Sequence, residues 1–232
     1  MTASYIRLTL ISGSVKIFLQ SFYTFARMMR TIYILLLIGS GFGLSAQKAD
    51  TSRSWEASAG ANINFPSTQT RLGLNATFDW KWLHTEARFN SEDFHTFSLW
   101  AGYNFSGGTK FSYTVSPMLG GMVGTSNGIL PGVSIDLTYK RWELKDESAF
   151  VLFSTDRRKE DYFYSSGELD FFIKEQVYVG LAVTRTHVYH TRLDTQRGLL
   201  AGWNIWNLSL EGYLYDLFFD HPFLDINLSY NF

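Results

Sequence analysis

From Ser54 onward the chain alternates apolar and polar residues in segment after segment, and no stretch repeats its apolar positions at the spacing of a helix. Between Lys110 and Val123, for example, Phe111, Tyr113, Val115, Pro117, Leu119, Gly121 and Val123 share one face. Lys110, Ser112, Thr114, Ser116 and Gly120 share the other. The same pattern puts Phe97, Leu99, Ala101, Tyr103 and Phe105 on one face of the preceding segment. Val133, Ile135, Leu137 and Tyr139 form a further apolar face, and Val177, Val179, Leu181 and Val183 another. The pattern predicts strands over 54–65, 69–80, 82–90, 94–105, 109–122, 129–140, 141–154, 162–173, 176–187, 196–206, 207–217 and 222–232.

Most of these segments reach the ~9 to 11 residues that a tilted transmembrane strand needs and exceed the ~5 to 6 residues common in soluble sheets. Their connections alternate in length. Trp80-Lys81, Ser106 to Gly108, Lys140-Arg141, Lys174-Glu175 and Trp206-Asn207 are tight, whereas Gly124 to Gly128, Thr155 to Asp161 and Val188 to Thr195 are longer. Connections near Pro66 and over Ser91 to Asp93 are short but fall at the same end as the longer ones. Short periplasmic turns opposite longer external loops are the habit of outer-membrane barrels. Aromatic residues crowd the tight turns: Trp80, Trp82, Tyr103, Phe105, Tyr139, Trp142, Phe172, Trp206, Tyr230 and Phe232. Such rings prefer the membrane interface, so they read as its periplasmic girdle. The expected fold is all-β: a transmembrane antiparallel up-and-down barrel of about twelve strands, with ten or fourteen as the alternatives.

The first 46 residues differ in kind. They hold no Asp or Glu and four cations, Arg7, Lys16, Arg27 and Arg30. Met28 to Arg30 followed by the apolar run Ile32–Ile38 and a small-residue exit up to Ala46 has the layout of a secretory signal. The apolar run is too short for the ~20 residues of a spanning helix. The expected organisation is therefore an N-terminal extension and cleaved signal peptide over 1–46, with translation starting at Met28 or Met29, and a barrel over 47–232.

Charge and composition remove several function classes. A mildly acidic remainder without a basic stripe gives no footprint for nucleic acid. The absence of cysteine removes disulfides, thiolate chemistry and lipid attachment at cysteine. No His-x-Ser, the pairing that an outer-membrane lipid hydrolase commonly presents on one strand face, occurs after His84, His95, His187, His190 or His221. Glu168 and Asp170 share a face but read as a polar wall, and Glu92, Asp93 and His95 or His187 and His190 read as rim residues before they read as metal ligands. No cofactor or metal is expected, and an enzyme ranks third among the functional readings.

With the apolar faces turned to lipid, the inward set holds Glu56, Asp79, Glu86, Asp136, Glu143, Glu147, Glu168, Asp170, Glu211 and Asp225. Arg71, Arg88, Lys110 and Lys145 oppose them. A water-filled lumen of that balance concentrates cations; pairing of Arg71, Arg88 and Lys145 with those carboxylates would instead close it. The candidate lumen-lining residues are Glu86, Arg88, Arg71, Asp136, Glu168, Asp170, Glu211 and Asp225. Two positions strain the alternation. Ala149, Val151 and Phe153 continue the parity of Glu143, Lys145 and Glu147, which predicts a β-bulge near Asp146 to Ser148. Arg185 falls on the lipid face, near the external rim.

The last segment, Pro222 to Phe232 (PFLDINLSYNF), resembles the C-terminal strand of outer-membrane barrel proteins. That resemblance implies that Leu228, Tyr230 and Phe232 are the signal read by the barrel-assembly machinery. Glu86 to Gly108 (EARFNSEDFHTFSLWAGYNFSGG) and Gln196 to Gly202 (QRGLLAG) resemble an uncharacterised family of small barrels in Gram-negative bacteria. It implies location in the Gram-negative outer membrane, with membrane lipid and lipopolysaccharide as partners, and brings no activity. The functional readings are then a passive channel for small solutes, with cations as the candidate class, a closed structural or surface-binding barrel, and third a lipid-modifying enzyme.

Overall fold

The computed structural model describes residues 55–65, 70–154, 161–188, 193–218 and 222–232. The expected signal, its cleavage after Ala46, the mixed-charge tip Asp156 to Asp161 up to Glu160, and His190 and His221 lie outside the described residues.

The described chain forms β1 (Trp55–Phe65), β2 (Arg71–Trp80), β3 (Leu83–Phe89), β4 (Thr96–Tyr103), β5 (Phe105–Gly107), β6 (Phe111–Gly124) and β7 (Gly128–Tyr139). It continues as β8 (Trp142–Phe153), β9 (Tyr162–Lys174), β10 (Val177–Val188), β11 (Asp194–Ile205), β12 (Leu208–Tyr215) and β13 (Phe223–Asn231). Apart from β4 and β5, each pairs antiparallel with its neighbours in sequence, and β13 pairs with β1 through Ser58↔Asn231 to Phe65↔Leu224, which closes the sheet. β4 and β5 are two halves of one strand: both pair with β6 in a single register, from Thr96↔Gly124 to Gly107↔Tyr113, broken only at Asn104. The molecule is therefore a closed antiparallel barrel of twelve strands.

Closure removes every free sheet edge, the condition for a β-structure to sit in hydrocarbon. The outer face is apolar. Leu119 is 61% exposed, and Val123, Leu99, Ile129, Leu181, Leu199 and Leu228 are exposed on the outer face of their strands, while Leu130 on the inner face is 0% exposed. A soluble sandwich would bury those outer side chains between two sheets. Trp80, Trp82, Tyr103, Phe105, Phe111, Tyr139, Trp142, Trp203, Trp206 and Phe232 are exposed at the tight-turn end, and form the expected girdle. Lys81, Lys140 and Trp206 take positive φ there (56°, 57° and 54°), as the first residues of two-residue hairpin turns do.

Two expectations need correction. Phe172 is no part of the girdle: it points inward against Tyr178, with ring centroids 4.9 Å apart, and Phe171 takes the outer place beside Trp142. Nor is there a bulge at Asp146 to Ser148, where β8 keeps one register with β7 and one with β9. The bulge lies in β9, where Lys174 pairs with Val177 and Phe172 with Tyr178, leaving Ile173 as the extra residue. Ala149, Val151 and Phe153 keep the inward parity of Glu143 because the inner face of β4 to β8 is itself apolar towards that end. They pack there with Trp100, Met118, Met122 and Leu130.

Candidate functional site

The inner face begins with the alternation of each strand, and every one of the ten predicted carboxylates lies on it. Glu56, Asp79 and Asp136 line one cavity with Trp55, Lys81, His84, Asn104, Ser106, Thr114 and Ser116; its volume is about 630 Å³ and it lies at the tight-turn end. Glu86, Glu147, Glu168 and Asp225 line a second, of about 520 Å³, towards the opposite end. On β2 the boundary between the two falls between Asp79 and Thr77, and on β3 between His84 and Glu86.

That boundary is a hydrogen-bonded layer. His84 sits between Asp79, 2.8 Å from its Nδ1, and Glu86, 2.6 Å from its Nε2. Asn104 donates to Asp79 across 2.6 Å and accepts from Ser116, so the break between β4 and β5 is occupied by a side chain that ties three strands together.

Above that layer Arg88 crosses the lumen. Its Nε donates to Glu86 at 2.6 Å, and its two terminal nitrogens grip Glu147 at 2.6 and 2.8 Å. The geometry is the two-pronged one that guanidinium and carboxylate favour. Between β3 and β8 stand β4, β6 and β7, so this contact is a chord across the barrel and not a contact between neighbouring strands. Tyr164 donates to the same Glu147 oxygen, and the guanidinium lies 4.9 Å from the centre of the Trp100 ring.

The chord divides the interior into unlike halves. On one side Trp100, Met118, Met122, Leu130, Ala149, Val151 and Phe153, backed by Tyr162 and Tyr164, fill the space between β4 and β9. The Asn90–His95 connection closes onto this half: the Glu92 carboxylate accepts from Ser98 at 2.7 Å and Trp100 Nε1 at 3.1 Å, and its carbonyl accepts from Tyr162. Glu92 is thus a buried structural acceptor. On the other side the wall is polar and carries the 520 Å³ cavity: Asn62, Asn64, Asn75, Thr77, Ser166, Thr184, Gln196 and Asn227, with Tyr213, Tyr215 and Phe223.

The predicted lumen residues fall into three groups. Arg88 and Glu86 join the crossing network. Lys145 lies 3.4 Å from Glu143 and 3.7 Å from Asp170, whose side chain is 0% exposed. Glu211 accepts from Tyr178, from Tyr213 at 3.0 Å and from Asn227 at 2.7 Å. Asp225 takes one long bond, 3.5 Å, from Asn64. Glu168, Glu211 and Asp225 form no ion pair among the described residues, while Arg88 and Lys145 do. Arg71 stands apart at the external end, its guanidinium 5.9 Å from the Phe94 ring, and Lys110 lies in the turn after β5. Among the described residues no cluster of three or more potential metal ligands occurs.

Glu92, which the sequence reads as a rim residue, is instead buried against Ser98 and Trp100; His84 and the inward aromatic residues were not among the sequence candidates. The available signal was Met118 and Met122, which share the parity of Ser116, and Trp100, which shares that of Ser98. Large apolar residues on the wet side of consecutive strands mark a packed interior.

No protein-family model matches the chain, and no curated protein matches it. Among solved structures the barrel is similar to the KdgM porin, at 12% identity and a TM-score of 0.58 over 75% of this chain and 99% of that one. It is similar also to the NanC porin, at 10% identity and a TM-score of 0.57 over 74% of this chain and 98% of that one. A second KdgM structure is a complex with disordered oligogalacturonate. The fold is that of the small outer-membrane porins.

Proposed function

We propose that the protein is an outer-membrane channel for small polar solutes, with a preference for cationic over anionic ones. The observation that carries this reading is the divided lumen: one half packed, the other lined by amides, hydroxyls and the carboxylates Glu168 and Asp225, which form no ion pair among the described residues. A solute in the polar half meets hydrogen-bonding groups and a negative field that low-dielectric walls focus. The cations beside it are engaged, Arg88 by Glu86 and Glu147 and Lys145 by Glu143 and Asp170. An anionic chain such as the one in the KdgM complex would therefore find no ready counter-charge there. The test is single-channel conductance of the purified protein in a planar bilayer under a salt gradient. Steady steps with cation preference are expected, and silence from a correctly folded barrel would overturn the reading.

A closed barrel serving a structural or surface-binding role is the second reading, favoured by the packed half and by the crossing of Arg88. The same recording separates the two.

A further inference from the structure

The cavity of about 520 Å³ holds more carboxylate than the chain's own cations answer. Glu86, Glu147, Glu168 and Asp225 line it, and Arg88 is the one lysine or arginine that does so among the described residues. Arg88 is committed to Glu86 and Glu147. Lys145 is the cross-strand partner of Glu168 on β8, but its ammonium lies with Glu143 and Asp170 at 3.4 and 3.7 Å. That leaves Glu168 and Asp225 with no ion pair among the described residues. One oxygen of Asp225, Oδ1, is shut off from water and accepts no hydrogen bond there. The charge is thus left to the cavity side, where Oδ2 takes a single 3.5 Å bond from Asn64. A carboxylate so placed gains from any cation that reaches it.

Tyr213 measures the gap between these two carboxylates. It is the cross-strand partner of Asp225, and its hydroxyl stands between Glu211, to which it donates at 3.0 Å, and Glu168. Glu168 and Asp225 are therefore at least the length of a tyrosine side chain apart, too far for one ammonium to touch both. A row of rings lies beside them. Tyr213 and Tyr215 stack with centroids 6.0 Å and planes 4° apart, and Tyr215 and Phe223 with 5.0 Å and 18°. The Tyr215 ring lies over Gly198, where a Cβ would come within 2.8 Å of it. Phe223, at the end of the row, is the least buried of the three. Tyr215 ends β12 and Phe223 begins β13, so the row lies towards the long-connection end, which faces the cell exterior.

We propose that this cavity binds an elongated dication, an alkane chain with an ammonium at each end, one ammonium on Glu168 and the other on Asp225. The inference deepens the channel reading and rests on it for the solute's path to the site. Two spaced carboxylates match two spaced charges, and each attraction is strengthened by the low-dielectric wall. The aromatic row covers the apolar chain and offers ring faces to its charged ends. An ammonium has three donors, and the amides beside the carboxylates can take the remaining ones. Asn64 and Asn227 donate from their Nδ2 atoms to Asp225 and Glu211, which leaves their side-chain oxygens to accept. A compact divalent metal ion fits less well, since no cluster of three or more potential ligands occurs among the described residues.

The test titrates the purified, folded protein in non-ionic detergent by calorimetry with diaminobutane, diaminohexane and diaminooctane. Butylamine, hexanediol and magnesium chloride are the comparisons. One diamine of the series should bind about tenfold or more tightly than butylamine. Magnesium, which carries the same charge on one atom, should bind more weakly than that diamine, and hexanediol, which carries none, weaker still. Glu168→Gln and Asp225→Asn should each bring the diamine down to the affinity of butylamine, because each removes the partner of one end. A diamine no tighter than butylamine, magnesium or hexanediol binding as tightly as the diamine, or undiminished affinity in both variants would overturn the site. The comparison of diamine with monoamine on the native protein decides even where a variant fails to fold. Binding in detergent does not depend on conduction, so the two readings fail separately. A conducting barrel without diamine preference loses the site and keeps the channel, and a silent barrel that prefers the diamine keeps the site and loses the channel.

Discussion

Arg88 is the residue on which the interior turns. It holds Glu86, Glu147 and, at 3.7 Å, Glu92 around one guanidinium, in a part of the lumen where its own side chain is almost wholly buried. Removing it leaves Glu92 and Glu147 without their guanidinium partner and Glu86 with His84 alone. Arg88→Met should therefore destabilise the barrel by about 3 to 5 kcal/mol, as loss of one partner of a buried pair does, read from urea titration in vesicles. It should also raise single-channel conductance, because the bar across the lumen goes with it. Arg88→Lys should restore little of either, since an ammonium cannot make the two-pronged contact with Glu147. The ring stacks depend on single residues as well. A Cβ at Gly202 would fall 2.1 Å from the Tyr178 ring, so Gly202→Ala must push that ring into the lumen. A loss of about 1 to 3 kcal/mol is expected. In Gly202→Ala combined with Tyr178→Ala the two costs should fall short of their sum, as a double-mutant cycle would measure.

At the scale of the strand, depth in the bilayer decides what the outer face tolerates. Leu181 and Arg185 lie on the same outward row of β10, four residues apart. Leu181→Arg should cost about 2 to 4 kcal/mol, and Arg185→Leu close to nothing in phosphatidylcholine alone; unfolding of both variants in such vesicles checks the contrast. This dependence on the outer face is why the strands were legible in the sequence. Hydrocarbon demands an apolar residue at every second position, so the outward rows of β4, β6, β7 and β10 stand out without any alignment. The inner face answers to no single solvent. Where it meets water it reads Ser, Thr, Asn and Glu, and where it packs it reads Met118, Met122, Leu130 and Val151. The second pattern on β8 looked like a slip of register. The real bulge, at Ile173, sits in a run of apolar residues, Leu169 and Phe171 to Ile173, where alternation carries no information. The chord from Arg88 to Glu147 was illegible for another reason: pairing between strands apart in the sheet depends on barrel diameter and stagger, which no local pattern encodes.

Taken whole, the molecule places its carboxylates in two environments, and the channel reading makes different demands on each. Glu168 and Asp225 face the polar half with no ion pair among the described residues, so their charge falls on any solute there. Glu92 is buried in the packed half among Ser98, Trp100 and Arg88, so its charge is answered locally. Neutralising the first pair with Glu168→Gln and Asp225→Asn should lower the cation-over-anion preference by about two- to tenfold. The size of the conductance step should hardly change, because neither substitution alters volume. Glu92→Gln should leave the preference as it was and instead lower stability, because a carboxylate oxygen that accepts from Ser98 or Trp100 is replaced by an amide group that donates. Reversal potentials under a salt gradient, together with urea midpoints, separate the two classes of variant. Ion preference that followed Glu92 and ignored Glu168 and Asp225 would place the conducting path on the wrong side of Arg88.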